Sequence, residues 1–426
     1  MNKSESEAIL SPIPPVHHSP DRHGAPCRSY LHVAARICWT SPFRLLTGRT
    51  VICRGMLAAA CWCLLLASAR ISAAEIVQVA TAGSDGIPKQ PQATVDATGT
   101  AHVVFGIGND VFYCSSTGEG EQFSQPTRAF TVPNLSLGMR RGPRICVTPS
   151  AIVVTAIGGP QGKGRDGDLL AWQSRDNGRT WQGPVRVNDT EASAREGLHA
   201  MTSSGNIVWS VWLDLRDQRT ELYGSRSTDG GHTWQQNQRI YRSPEKSICE
   251  CCHPSAIMAG SSLVVMFRNA LSGDRDMFLT KAQDENPTFS AASPLGRGHW
   301  KLKACPMDGG MLTTLADGQL LTVWRREDAI YRCVEGEPEQ LLGRGTQPWV
   351  AGNAQGHAIV WTSDRVGALL LQRPGLDAPA VLARDASDPV IVTGSSSSRA
   401  LVLWEGRSKN GPTIFAEFVS LLPKDR

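Results

Sequence analysis

A short unit recurs along this chain, and its period limits the fold more than any single residue does. Unit starts fall at Pro91-Gln92-Ala93, Pro143-Arg144-Ile145, Leu198-His199-Ala200, Pro254-Ser255-Ala256, Pro306-Met307, Pro348-Trp349 and Pro389-Val390. A spacing of about 40–55 residues is the length of a four-stranded propeller blade. Each unit reads as strand, turn, apolar strand, polar loop, strand, turn, strand. In one of them Ala256–Met258 is followed by Ser262–Phe267 and Met277–Lys281. No helical period appears. Runs such as Leu263-Val264-Val265-Met266-Phe267 and Ala358-Ile359-Val360-Trp361 suit strands buried on both faces. The expected fold is an all-β propeller of four-stranded antiparallel blades, seven by this count. The last unit lacks an outer strand, and Glu75-Ile76-Val77-Gln78-Val79 stands alone before the first unit. It is expected to supply the missing strand and close the ring.

A turn motif marks the link between third and fourth strands. Ser174-Arg175-Asp176-Asn177-Gly178-Arg179-Thr180-Trp181 fits S-x-D-x-G-x-T-W, and Ser227-Thr228-Asp229-Gly230-Gly231-His232-Thr233-Trp234 fits it again. Ala282 to Phe289 and Ser116 to Phe123 are degraded copies. Asp accepts backbone N–H bonds inside such a turn, Gly permits positive φ, and Trp packs under the hairpin. These are Asp boxes, which staple hairpins. With them the chain resembles the sialidase-like Asp-box (BNR-repeat) propellers over essentially all of residues 75–426. That resemblance implies a propeller and a carbohydrate-related role. The sialidases have six blades, so six is the alternative to the count of seven.

The first 74 residues stand apart. Leu57 to Ala69 is an apolar run preceded by Arg54 and followed by Ser72-Ala73-Ala74, the pattern of a secretory signal over 56–74. Residues 1–55 read as a leader or an overcalled start without a packed fold, and 75–426 as the propeller domain. The protein is therefore expected to be exported, periplasmic or secreted, with no stable membrane span once the signal is removed. Eight of the 43 Lys and Arg and three of the 39 Asp and Glu precede residue 75, leaving 35 against 36. A balanced domain without a basic patch argues against nucleic acid. Nothing in the sequence sets the oligomeric state.

Unit entries and the loops between second and third strands should meet on one face, around the central channel. Those positions carry Arg144, Arg268, Arg275, Arg325 and Arg326, together with Asp166, Asp168, Glu196, Asp214 and Glu250. A rim of arginines suits an anionic ligand, because Arg pairs bidentately with carboxylates. Exposed polar loops offer a plainer account. The family resemblance sharpens the question. It implies three arginines on a substrate carboxylate, a Tyr nucleophile paired with a Glu, and an Asp acid/base. Pro143-Arg144-Ile145-Cys146 partly matches the first arginine motif, Arg275 matches the second arginine and Arg326 the third. His253 stands where the Glu belongs, and no Tyr accompanies Gln347-Pro348-Trp349. The expected partner is an acidic glycan or another anionic small ligand, recognised and cleaved only by an unusual route. Asp166, Asp214, Glu250 and His253 are the candidate acid/base groups.

Cys249-Glu250-Cys251-Cys252-His253 concentrates the unusual chemistry. It spells C-x-x-C-H, the c-type haem pattern, but it abuts Pro254 and a strand entry, which disfavours haem. Aligning Pro306 with Pro254 sets Cys305 opposite His253, with Met307 close by. Cys251, Cys252, His253, Cys305 and Met307 would then form a soft-metal site for copper, or for zinc without the Met. A disulfide staple from Cys305 to Cys251 or Cys252 is the plainer alternative. Seven cysteines follow residue 74, so an odd thiol remains in any pairing. A soft-metal or redox protein and a non-catalytic interaction platform are thus the alternatives to a glycan protein.

Overall fold

The computed structural model describes residues 76–117 and 122–422; the leader and signal readings on 1–74 lie outside the described residues. Among the described residues every regular element is a β-strand, and no helix is long and apolar enough to cross a membrane. The strands form small antiparallel sheets in a propeller-like arrangement.

Four sheets have four strands in plain meander order. Arg144–Val147, Ile152–Gly158, Asp168–Ser174 and Gln182–Arg186 make one; His199–Ser204, Ile207–Asp214, Glu221–Ser227 and Gln238–Tyr241 make the next. Then come Ser255–Ala259, Ser262–Arg268, Met277–Gln283 and Ser293–Pro294, followed by Met311–Thr314, Leu320–Arg326, Ala329–Val334 and Gln340–Arg344. The first sheet begins with Lys89–Val95, Ala101–Ile107 and Asp110–Thr117. The remaining strands share one seven-stranded sheet, in which Ala380–Thr393 is common to two halves. Its residues up to Ala386 pair with Gly367–Gln372, and from Ser387 it pairs with Arg399–Ser408. Asp385 and Asp388 take positive φ at this bend, a conformation that Asp tolerates. The far edge of that sheet is Val77–Thr81, which pairs with Gly411–Ser420 (Val77 opposite Ala416).

First strands of successive units lie side by side. Lys89–Val95 neighbours Arg144–Val147, and the series continues through His199–Ser204, Ser255–Ala259, Met311–Thr314 and Thr346–Asn353 to Ala380–Thr393. That last strand also lies against Lys89–Val95. Between sheets the packing is dry. Trp209, Val211 and Leu213 meet Ala256, Val265 and Phe267, for example, which explains the continuous apolar runs. Each fully buried side chain of this kind stabilises the fold by about 1.5–3 kcal/mol.

One unit start departs from expectation. The strand opposite Pro254 begins at Met311 rather than Pro306. The segment before it runs tightly past its neighbour, with Met307 at φ 53°. A Cβ on Gly309 would lie 2.3 Å from the His253 carbonyl oxygen.

Candidate functional site

The first strands line a central cavity of about 290 Å³, with Arg144, His253 and Trp349 among its walls. A buried polar cluster gathers where these strands enter. The Gly309 N–H donates to His253 Nδ1 (3.3 Å), so the neutral ring carries its proton on Nε2, which has no partner among the described residues. Burial drives the His253 pKa well below the ordinary histidine value, and Arg140, Arg144 and Arg268 push the same way. Its ring stacks on Trp349 at 5.6 Å. Asp308 accepts the Gln347 N–H on Oδ2 (2.7 Å), while Oδ1 is unpartnered among the described residues. Burial raises the Asp308 pKa, against the pull of Arg140.

The arginines around this cluster are mostly occupied by backbone. Arg144 donates to the carbonyls of Gly142, Pro143 and Arg140. Arg268, only 2% exposed, donates to the carbonyls of Asp308, Arg275 and Arg325. Arg326 is bound bidentately by Glu339, at 2.8 Å for each nitrogen. Arg325 donates to the Glu327 carbonyl and lies over Trp300. Arg275 alone of the five expected ligand arginines has no hydrogen bond or ion pair from its side chain among the described residues. The expected clamp of Arg275 and Arg326 is therefore half committed elsewhere, because Glu339 from the outer edge of the same sheet reaches Arg326.

Two of the candidate acid/base groups serve loops. Asp166 accepts the N–H groups of Gln161 and Gly162, closing its own loop. Asp214 is fully buried and saturated by Ser193, Trp212 and Arg216. Glu250 is exposed and close enough to Glu196 to raise its pKa.

Glu196 lines an open polar pocket of about 540 Å³ with Arg141, Lys163 and Arg195, between Asn134–Met139 and Asn109. Burial raises Glu196 above the ordinary carboxyl range; Arg141 pulls it down, Glu250 pushes it up and Arg195 pulls it down. The Arg141 Nε–H donates to the Glu196 carbonyl (2.7 Å), tying the two walls together. Sequence reasoning placed Glu196 on this face but passed over Arg140, Arg141, Lys163 and Arg195. The available signal was the Gly-bounded pair in Gly138-Met139-Arg140-Arg141-Gly142, just before a unit start.

The expected five-residue metal set is not assembled. Cys305 is exposed, and His253 turns its ring to Trp349 and Gly309. The sulfurs that converge are those of Cys249, Cys251 and Cys252. The Cys249 sulfur lies 3.6 Å from each of the other two. The chain turns over Cys249–Cys252 and then enters the strand at Ser255, which sets His253 in the cavity wall while the three sulfurs converge in the turn. A second converging group is Asp274, Asp276 and His299, partly exposed.

The Asp boxes lie at the opposite ends of the strands. Asp176 accepts from the Thr180 N–H (2.8 Å) and hydroxyl (2.6 Å) and from the Ser174 hydroxyl (2.8 Å). Asp229 repeats this with Thr233 and Ser227. Asn177 and Gly178, and then Gly230 and Gly231, take positive φ. Trp181 packs edge-on against Tyr113 and Phe130 of the preceding unit. In the degraded copy Asp284 turns outward to another sheet, taking Trp209 Nε1 (2.6 Å) and Arg226.

Residues 149–332 match the sequence profile of the BNR repeat-like domain. No curated protein matches the chain. Among solved structures, an α-L-arabinanase of Penicillium chrysogenum complexed with arabinobiose is similar at a TM-score of 0.53 and 10% identity, over 82% of this chain and 98% of that one. An α-L-arabinofuranosidase of Fusarium graminearum aligns at 0.51 and 10% identity, over 81% and 97%. A protein of unknown function from Dyadobacter fermentans aligns at 0.50 and 16%, over 82% and 100%. At such identities the likeness is one of fold, and it agrees with the sialidase-like BNR propeller that the Asp boxes indicate.

Proposed function

We propose that this chain is an exported glycan-binding propeller whose ligand is an acidic sugar, held in the pocket of Arg141, Lys163, Arg195 and Glu196. The observation that carries the reading is that pocket: three cations and one part-buried carboxyl on the loop face of a propeller. The cations suit a sugar carboxylate. Similar folds with glycosidase names, one complexed with arabinobiose, support a sugar ligand in general. Cleavage would use Glu196, whose pKa burial raises, as general acid, with Glu250 as its partner. Arg275, with no competing side-chain partner among the described residues, is the second place for an anionic group. We read the seven-stranded sheet as two blades sharing Ala380–Thr393, which makes seven blades with Val77–Thr81 closing the ring. Export rests on the signal pattern over 56–74.

Calorimetric titration with sialylated, uronate-bearing and neutral oligosaccharides tests this. Acidic ligands should bind, and a Lys163→Ala/Arg195→Ala variant should bind them at least tenfold more weakly. If turnover is found, it should fall as pH rises through the Glu196 pKa, and Glu196→Gln should abolish it. Equal binding of neutral arabino-oligosaccharides, unaffected by the double variant, would refute an acidic ligand in this pocket.

A further inference from the structure

We propose that Cys249, Cys251 and Cys252 form a three-coordinate thiolate site for copper(I). The three sulfurs lie within 4.8 Å of one another, with two separations of 3.6 Å. Thiolates around one ion at a metal–sulfur distance of about 2.3 Å stand about 3.8–4.0 Å apart, depending on whether the ion is tetrahedral or trigonal. A disulfide needs about 2.05 Å and uses only two of the three sulfurs.

The turn is already held in place. The Cys249 N–H donates to the Arg268 carbonyl (3.1 Å), and the Ile248 N–H donates to the Thr220 carbonyl (3.0 Å). Cys249 and Cys252 are buried, while Cys251 is partly exposed and gives an ion a way in.

Ligand number selects the metal. No further His, Cys, Asp or Glu joins the three sulfurs among the described residues. Structural zinc almost always takes four ligands. Soft thiolates favour copper(I), which accepts three. Binding releases the remaining thiol protons to solvent and leaves a dianionic cluster of three thiolates and one monovalent cation. The buried Arg268 is its counter-charge. That guanidinium bonds only to carbonyls and forms no ion pair among the described residues, yet its charge acts on both Cys249 and Cys252. A buried cation without an anion is costly, and the loaded site would resolve that cost.

The test uses the full chain, reduced under anaerobic conditions and titrated with copper(I) against bicinchoninate. One equivalent should bind. Cys305→Ser should leave the affinity unchanged, whereas Cys249→Ser and Cys252→Ser should each weaken it at least a hundredfold. X-ray absorption at the copper edge of the loaded wild type is independent of how the variants fold. It should give three sulfur neighbours near about 2.3 Å and no nitrogen. Failure to compete with the chelator, a nitrogen in the coordination shell, displacement of copper by equimolar zinc, or full affinity in a folded Cys249→Ser protein would each overturn the site.

Discussion

The two ends of the strands differ in how their carboxylates are satisfied. In the two intact Asp boxes the carboxylates are served by their own turns: Asp176 and Asp229 find hydroxyl and N–H donors within four residues. At the entry end Asp166 and Asp214 also find near partners, but Arg268 reaches Asp308 and Arg325 across the chain, and some atoms go without. His253 Nε2, Asp308 Oδ1 and His199 Nδ1 are all buried without a partner among the described residues. Local satisfaction stabilises a hairpin and asks nothing of a ligand. Buried polar atoms left open cost about 1–3 kcal/mol each, and such strain is retained at sites that do something. The same residue type thus meets different demands at the two ends, according to where its donors come from.

The comparison breaks most visibly at Arg268. Replacing it with Leu orphans the carbonyls of Asp308, Arg275 and Arg325 at once, and should cost about 3–5 kcal/mol in urea unfolding. A loss under about 1 kcal/mol would mean that the entry end relaxes easily and is not held by this guanidinium. Asp284 is the test at the other end, since it bonds to another sheet rather than to its own turn. Asp284→Ala should cost about 1.5–3 kcal/mol, because Arg226 and Trp209 Nε1 lose a charged acceptor.

The intact Asp boxes predict an acid signature. The Thr180 hydroxyl, then the Thr180 N–H and the Ser174 hydroxyl, hold Asp176 down to about 2. Partial burial pushes Asp229 upward, but Thr233 and Ser227 still hold it at about 2. Both pKa values are depressed on folding. Their contribution is therefore complete above the unfolded value near 3.8, and is lost as pH falls from about 4 towards 2. Asp176→Asn and Asp229→Asn should flatten the acid limb of a pH–stability curve; an unchanged limb would show that the turns hold without charge. The smallest expected effect is at Lys163, which is exposed. Lys163→Ala should shift stability by no more than about 0.5 kcal/mol while weakening acidic oligosaccharides measurably. A larger loss of stability would place Lys163 with the structural residues instead.

Much of the propeller was legible because its signals are local. Asp176 and Asp229 carry their donors with them, and first-strand entries at Arg144, His199 and Ser255 follow the repeat. The site was less legible because its contacts are not local. Nothing near Arg326 in sequence announces that Glu339 takes it, and nothing near Arg268 names the three carbonyls it serves. The cysteine cluster lies between these cases. Its sulfurs are neighbours in sequence, so their meeting could be foreseen. Choosing Cys305 over Cys249 followed from aligning Pro306 with Pro254, and the strand there starts five residues late, at Met311.

The pairing of Val77–Thr81 with Gly411–Ser420 has a consequence in time as well as in space. At about 5–20 residues per second of synthesis, a strand laid down at Val77 waits tens of seconds for Ala416 to exist. Until then it is an unpaired β-edge on a half-made protein, open to any other strand it meets. Its hydrogen-bonding partner follows the other described strands in sequence, so the first described strand in the order of synthesis is among the last of them to be secured.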